Sequence, residues 1–130
     1  MTSPASSAAT LRPFIPALDF DSSKQFYLDL GFALAYDTPD LAALTLGAHG
    51  ILLQNFYVKD FAENAMLQLV VDDLDAWWRR IQSLDLAGRY AVKSPIAPKI
   101  QPWGAYVAFL FDPAGVLWHI TQADTPVTGT

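Results

Sequence analysis

Phe111-Asp112-Pro113-Ala114-Gly115-Val116-Leu117-Trp118-His119-Ile120 reads as two strands joined by a tight Asp-Pro-x-Gly turn. Pro113 pre-sets φ at the second turn position, and Gly115 can supply positive φ at the exit. Apolar and aromatic residues on both sides predict a β-hairpin within a sheet. His119 interrupts the second strand where a purely structural strand would carry another hydrophobe. Just upstream, Gln101-Pro102-Trp103-Gly104 sets an indole between proline and glycine, which presents the ring rather than burying it.

The hairpin closes the second of two similar units. In the first, a strand is expected over 11–18, with Pro13 and Pro16 pointing to an edge or a bulge. Asp19-Phe20-Asp21 then opens a helix, with Asp21 or Ser22 as N-cap. Phe26, Tyr27 and Leu30 share one helical face, and Gly31 stands where a glycine stops a helix. Strands follow over 32–37, 41–46 and 50–56. The second unit repeats the order with a strand over 66–71 and the acidic opening Asp72-Asp73-Leu74-Asp75, whose carboxylates suit a helix N-terminus. Leu74, Trp77, Trp78, Ile81 and Leu84 carry a helical period closed by Gly88. Strands are expected over 90–96, 106–112 and 116–122. A β-α-β-β-β order thus recurs after roughly 50 residues. The expected organisation is α+β: a flexible tail over 1–10, one domain over 11–123 and a C-terminal tail over 124–130. Within the domain, module one covers 11–56, a linker 57–64 and module two 65–123.

Composition narrows the function. Of 130 residues, 52% are hydrophobic and 13% aromatic, enough for a sizeable core. Only 16% are charged, so part of the surface is apolar or is covered in an oligomer. Thirteen acidic against eight basic side chains give a net charge of −5, and no basic run is present, which argues against nucleic-acid binding. That balance is compatible with a cationic or a neutral ligand and does not by itself select one. Without cysteine there is no disulfide, thiolate metal site or cysteine nucleophile. No leader pattern and no apolar run of membrane-spanning length are seen, so a cytoplasmic protein without membrane contact is expected.

Strand alternation sorts the candidate site. Leu117, His119 and Thr121 would share one face of the last strand, and Met66, Gln68 and Val70 one face of the strand over 66–71. Gln54 and Phe56 would join them from the strand over 50–56, and Arg12 and Phe14 from the first. A concave, mostly apolar and aromatic surface with a few polar groups suits a small molecule. For His119, ligand contact and a hydrogen-bonded structural role stand open side by side. Trp77 and Trp78, at helical spacing, suit packing, and His49 suits an exposed turn. Ser22, Ser23, Ser83 and Ser94 lie in no nucleophile elbow, and no phosphate-binding glycine loop is present.

The doubled β-α-β-β-β order, the helix end Phe26-Tyr27-Leu28-Asp29-Leu30-Gly31-Phe32 and the Asp-Pro-x-Gly turn resemble the vicinal oxygen chelate superfamily of glyoxalases, extradiol dioxygenases and bleomycin resistance proteins. Gln101-Pro102-Trp103-Gly104 is most similar to the bleomycin resistance branch. The resemblance implies a glyoxalase-like fold of two βαβββ modules. In metal-dependent members, the first and last strands of each module supply ligands, which the resemblance carries over to Arg12, Leu52 (or Gln54), Met66 and His119. Only His119 is a competent donor among these, and Arg12 has no lone pair to give. The resemblance therefore implies a homodimer that sequesters a cationic or planar small molecule at two subunit-interface crevices. No catalytic residue, metal or cofactor is expected, and the N-terminal strand is exchanged between subunits in that branch. Its ligand-binding set would be Phe14, Gln54, Phe56, Met66, Gln68, Trp103, Tyr106 and His119. Two alternatives stay open: a lyase, isomerase or dioxygenase of the superfamily with a rearranged metal site, and a small-molecule sensor unrelated to antibiotics.

Overall fold

The computed structural model describes Ser7 and residues 9–124. Of the tails expected over 1–10 and 124–130, Ser7, Ala9, Thr10 and Asp124 are described and the rest lie outside the described residues. The elements run β1 (Phe14–Pro16), α1 (Phe20–Leu30), β2 (Ala33–Asp37), β3 (Leu41–Leu46), β4 (His49–Gln54), α2 (Lys59–Asn64), β5 (Met66–Val71), α3 (Leu74–Ser83), α4 (Leu86–Tyr90), β6 (Ile96–Ile100), β7 (Tyr106–Phe111) and β8 (Leu117–Gln122). They build two four-stranded sheets of matching order, β1-β4-β3-β2 and β5-β8-β7-β6. In each, the outer pair β1–β4 or β5–β8 is parallel and the remaining pairs are antiparallel. This is the two-module βαβββ fold expected from the repeat. Among the described residues no helix is long and apolar enough to cross a membrane.

Several local expectations need correction. The N-cap of α1 is Asp19, whose side chain accepts from the Ser22 amide at 3.0 Å, so the helix starts before Asp21 and Ser22. Gly31 does end it, at φ 122°, with its amide donating back to Tyr27 and Leu28. The helix α3 stops at Leu84, not Gly88, because Asp85 turns left-handed at φ 49°. Gly88 instead lies inside α4, where a Cβ would meet the Asp85 carboxylate at 2.5 Å. Tyr90 is drawn into α4, and the strand expected over 90–96 forms at 96–100. It is an edge strand with a register shift between Ile96 and Lys99, which accommodates Pro98 and its missing N–H. The stretch 57–64 contains the short helix α2.

Both sheets pack their helix-covered sides into one continuous core. Phe26, Tyr27 and Leu30 of α1 meet Leu44, Leu53 and Ile51 of the first sheet and Leu110, Trp118 and Ile120 of the second. Trp77 and Trp78 pack partly buried against that core, as their helical spacing predicts. Among the described residues the buried polar side chains are Ser23, Asp112 and Thr121, and Asp112 is the one tied into a hydrogen-bond network. The Tyr27 hydroxyl donates to Asp112 Oδ2 at 2.6 Å and accepts from Trp118 Nε1 at 2.9 Å. The other carboxylate oxygen, Oδ1, accepts from the Ala114 and Val116 amides, both at 2.9 Å. Burial outweighs these hydrogen bonds and pushes the Asp112 carboxyl up to about 6. The Asp-Pro-x-Gly turn is thus tied to the helix of the other module. Gly115 takes the positive φ, 97°, that the turn exit requires.

Candidate functional site

With the helix sides committed to the core, each sheet leaves its other face open. On the second sheet, cross-strand partners arrange this open face in three rows. The first is Phe111–Leu117–Met66, the second Ile96–Phe109–His119–Gln68 and the third Lys99–Val107–Thr121–Val70, in which Val107 and Thr121 are buried. Alternation therefore places Leu117, His119 and Thr121 on one side of β8, with Trp118 and Ile120 buried on the other.

The middle row carries the polar interruption. His119 is half-buried, with its ring edge-on to Phe109 at a centroid distance of 4.9 Å and an interplanar angle of 74°. Gln68 stands directly opposite it on β5. Neither side chain hydrogen-bonds to the protein among the described residues. The reading of His119 as a hydrogen-bonded structural residue therefore loses its partner. In the next row, Thr121 Oγ1 is buried without a partner among the described residues.

The two ends of this face differ. At one end the Gln101–Gly104 turn closes with Gly104 N donating to Gln101 O at 2.8 Å, and it holds Trp103 63% exposed. At the other lies a cavity of about 580 Å³ lined by Met66, Lys93, Phe111, Leu117 and the Asp112–Gly115 turn. There Lys93 Nζ sits 5.2 Å from the centre of the Phe111 ring. A narrower apolar cleft of about 330 Å³ follows the free edge of β5, where Gln68, Leu69 and Val70 meet Pro13, His49 and Gly50 of the first module.

The remaining expected site residues are placed elsewhere. Phe14 and Gln54 lie on the open face of the first sheet, one row apart, since Phe14 pairs with Leu52 and Pro16 with Gln54. Phe56 follows β4 and is exposed. Within one chain, then, Met66, Gln68 and His119 share one sheet, with Trp103 at its end, while Phe14 and Gln54 share the other. Tyr106 belongs to neither open face. It has the parity of the core residues Ala108 and Leu110, and its hydroxyl donates to Asp75 Oδ1 of α3 at 3.0 Å. That hydrogen bond raises its pKa. Phe109, Ile96 and the lysines Lys93 and Lys99 are the face residues that sequence reading missed. Counting outward from the turn pairs Phe109 with His119, so that signal was available for the first of them.

In the strand register, Met66 stands opposite Leu117, one row from His119. The level positions are Phe14 with Leu52 and Gln68 with His119. A phenyl ring, an isobutyl group, one amide and one imidazole do not fit a divalent ion that needs about three nitrogen or oxygen donors. Arg12 buries its Nε without a partner among the described residues and has no lone pair to give a metal. No group of three or more His, Cys, Asp or Glu side chains is placed to hold a metal among the described residues.

Comparison with known proteins agrees with this architecture. A family model described as the Glyoxalase/Bleomycin resistance protein/Dioxygenase superfamily matches residues 10–120. A bleomycin resistance protein of Klebsiella pneumoniae is 31% identical over 114 residues, which cover 85% of this chain and 89% of that protein. Among solved structures, a bleomycin-binding protein complexed with bleomycin superposes with a TM-score of 0.77 at 27% identity, over 90% of this chain and 100% of the other. The bleomycin resistance determinant encoded on transposon Tn5 gives 0.76 at 25% identity, over 91% and 100%.

Proposed function

Since the chain belongs to the glyoxalase/bleomycin resistance protein/dioxygenase superfamily, we propose that it binds and sequesters a bleomycin-type small molecule, with no metal chemistry of its own. The observation that carries this reading is the open face of the second sheet. It is an apolar and aromatic platform with an imidazole and an amide that make no hydrogen bond among the described residues, ending at an exposed indole. Such a surface suits a planar ligand with a few hydrogen-bonding groups. Trp103 would stack on the ligand, Met66 and Phe109 would line its path, and Gln68 and His119 would orient it.

The ligand is held, in this proposal, at a homodimer interface. Exposed Phe14, Met66 and Trp103 lie on faces that one chain leaves uncovered, and only 16% of residues are charged. The open face of one subunit's second sheet would then be closed by Phe14, Gln54 and Phe56 from the partner's first sheet. If the N-terminal strand is exchanged, β1 is the element that moves, since only three of its residues pair with β4.

The test is titration of the metal-free protein with metal-free bleomycin, followed by tryptophan fluorescence. A saturable change at one ligand per chain, abolished by Trp103→Ala, supports the proposal. A flat titration overturns it. Light scattering on the same sample reads the dimer.

A further inference from the structure

We propose that Gln68 and His119 form a carboxamide-recognition pair on the open face of the second sheet, an assignment that rests on the ligand-binding function proposed above. The two residues are direct partners on adjacent parallel strands. Neighbouring strands lie about 4.8 Å apart, so both side chains reach a single functional group. Gln68 offers one carbonyl acceptor and an amide donor. A neutral imidazole offers one donor and one acceptor. Together they match a group that carries a donor and an acceptor side by side, as a carboxamide does.

The surroundings sharpen the choice. Phe109 fixes the His119 ring by an edge contact and, with Ile96, extends the same row as an apolar bed for a planar body attached to the amide. Among the described residues Gln25, Gln101 and Gln122 each give their amide to a protein acceptor, whereas Gln68, like Gln54 and Gln82, does not. A carboxylate in the ligand would find N–H groups here but no lysine or arginine in the same row, because the face's lysines are Lys99 in the next row and Lys93 over Phe111. Placing a charge on this largely apolar face is costly. A cationic group fares no better, since the three rows hold no acidic residue. The net charge of −5 thus does not describe the face.

The experiment compares benzamide, methyl benzoate and benzoate as probes of the ¹⁵N-labelled full-length protein by NMR. Benzamide is expected to shift the Gln68 side-chain amide and the His119 ring resonances. Methyl benzoate keeps the carbonyl but lacks the donor, and it and benzoate should bind about tenfold more weakly or worse. Gln68→Leu and His119→Phe, the second keeping a ring against Phe109, should each weaken benzamide by about tenfold, with their backbone spectra reporting an intact fold. Equal binding of amide and ester, or no response of Gln68 and His119 up to the solubility limit of benzamide, overturns the pair. Bleomycin binding that saturates equally in wild type and Gln68→Leu also overturns it, while leaving the proposed function standing. A benzamide response with a flat bleomycin titration does the reverse.

Discussion

In the first module α1 sinks Phe26, Tyr27 and Leu30 to full burial, whereas in the second α3 buries only Leu74 and Ile81 and leaves Trp77 and Trp78 half-covered. The topology around the two helices is the same, yet their surroundings are not. The first contacts both sheets, with its tyrosine hydrogen-bonded to Asp112 and Trp118 of the second module. The other lies over its own sheet, is pinned at its rim by Tyr106 on Asp75, and reaches the first module from its surface through Arg80, which donates to the Asp29 carbonyl at 2.8 Å. The matching open faces diverge as well. The first sheet presents Phe14, Leu52 and Gln54, and the second the His119–Gln68 row. A repeated architecture thus assigns anchoring to one module and the more polar half of the candidate site to the other.

The largest expected effect separates the helices directly. Phe26→Ala should cost about 3–5 kcal/mol in urea unfolding, since it empties a fully buried site. Trp77→Ala should cost less than about 2 kcal/mol, because its ring is already partly in water. Equal losses would break the asymmetry. Next in size is Tyr27→Phe, which leaves Asp112 Oδ2 and Trp118 Nε1 without their partner inside the core. A loss of about 1–3 kcal/mol is expected, and an unchanged midpoint would mean that the modules do not depend on this link.

The smallest effect is a pH dependence. Burial raises the Asp112 carboxyl to about 6, above its unfolded value, so folding favours the protonated form. Its contribution is fully present below the unfolded value and is lost as pH rises through about 6. Acidification from about pH 7 to about pH 5 should therefore stabilise the wild type by about 1 kcal/mol relative to Asp112→Asn. Parallel stability profiles for the two proteins would remove Asp112 as the source. Asp29 provides an internal contrast: slight burial works to raise its carboxyl, but hydrogen bonds from Tyr90 and Gln25 and the charge of Arg89 hold it below the usual range.

Where a turn residue or a period-two pattern acts alone, the fold is legible in the sequence. Asp112-Pro113-Ala114-Gly115 and the alternation of Leu117, Trp118, His119 and Ile120 predict the last hairpin and its two faces. What escapes is decided by distant partners. Gly88 looks like a helix stop, but the stop is made by the left-handed Asp85, whose carboxylate then needs a neighbour without a Cβ. Tyr90 looks like a strand residue, but its hydroxyl is committed to Asp29 of α1. Tyr106 looks like a site aromatic until register gives it the parity of the core. Of the candidate site, Met66, Gln68 and His119 were legible as one face. Their separation from Phe14 and Gln54 follows from both helix sides sharing a core, which no local pattern encodes.

The bond between Tyr27 and Asp112 has a consequence for how the chain can be cut. A fragment ending before residue 57 would expose the α1 aromatics and a tyrosine hydroxyl with nothing to hold. One starting at residue 65 would expose Trp118 and a carboxylate lacking one donor. Each half carries the other's missing contact, so the two expressed as separate polypeptides should find one another and reconstitute a single non-covalent protein, while neither persists alone.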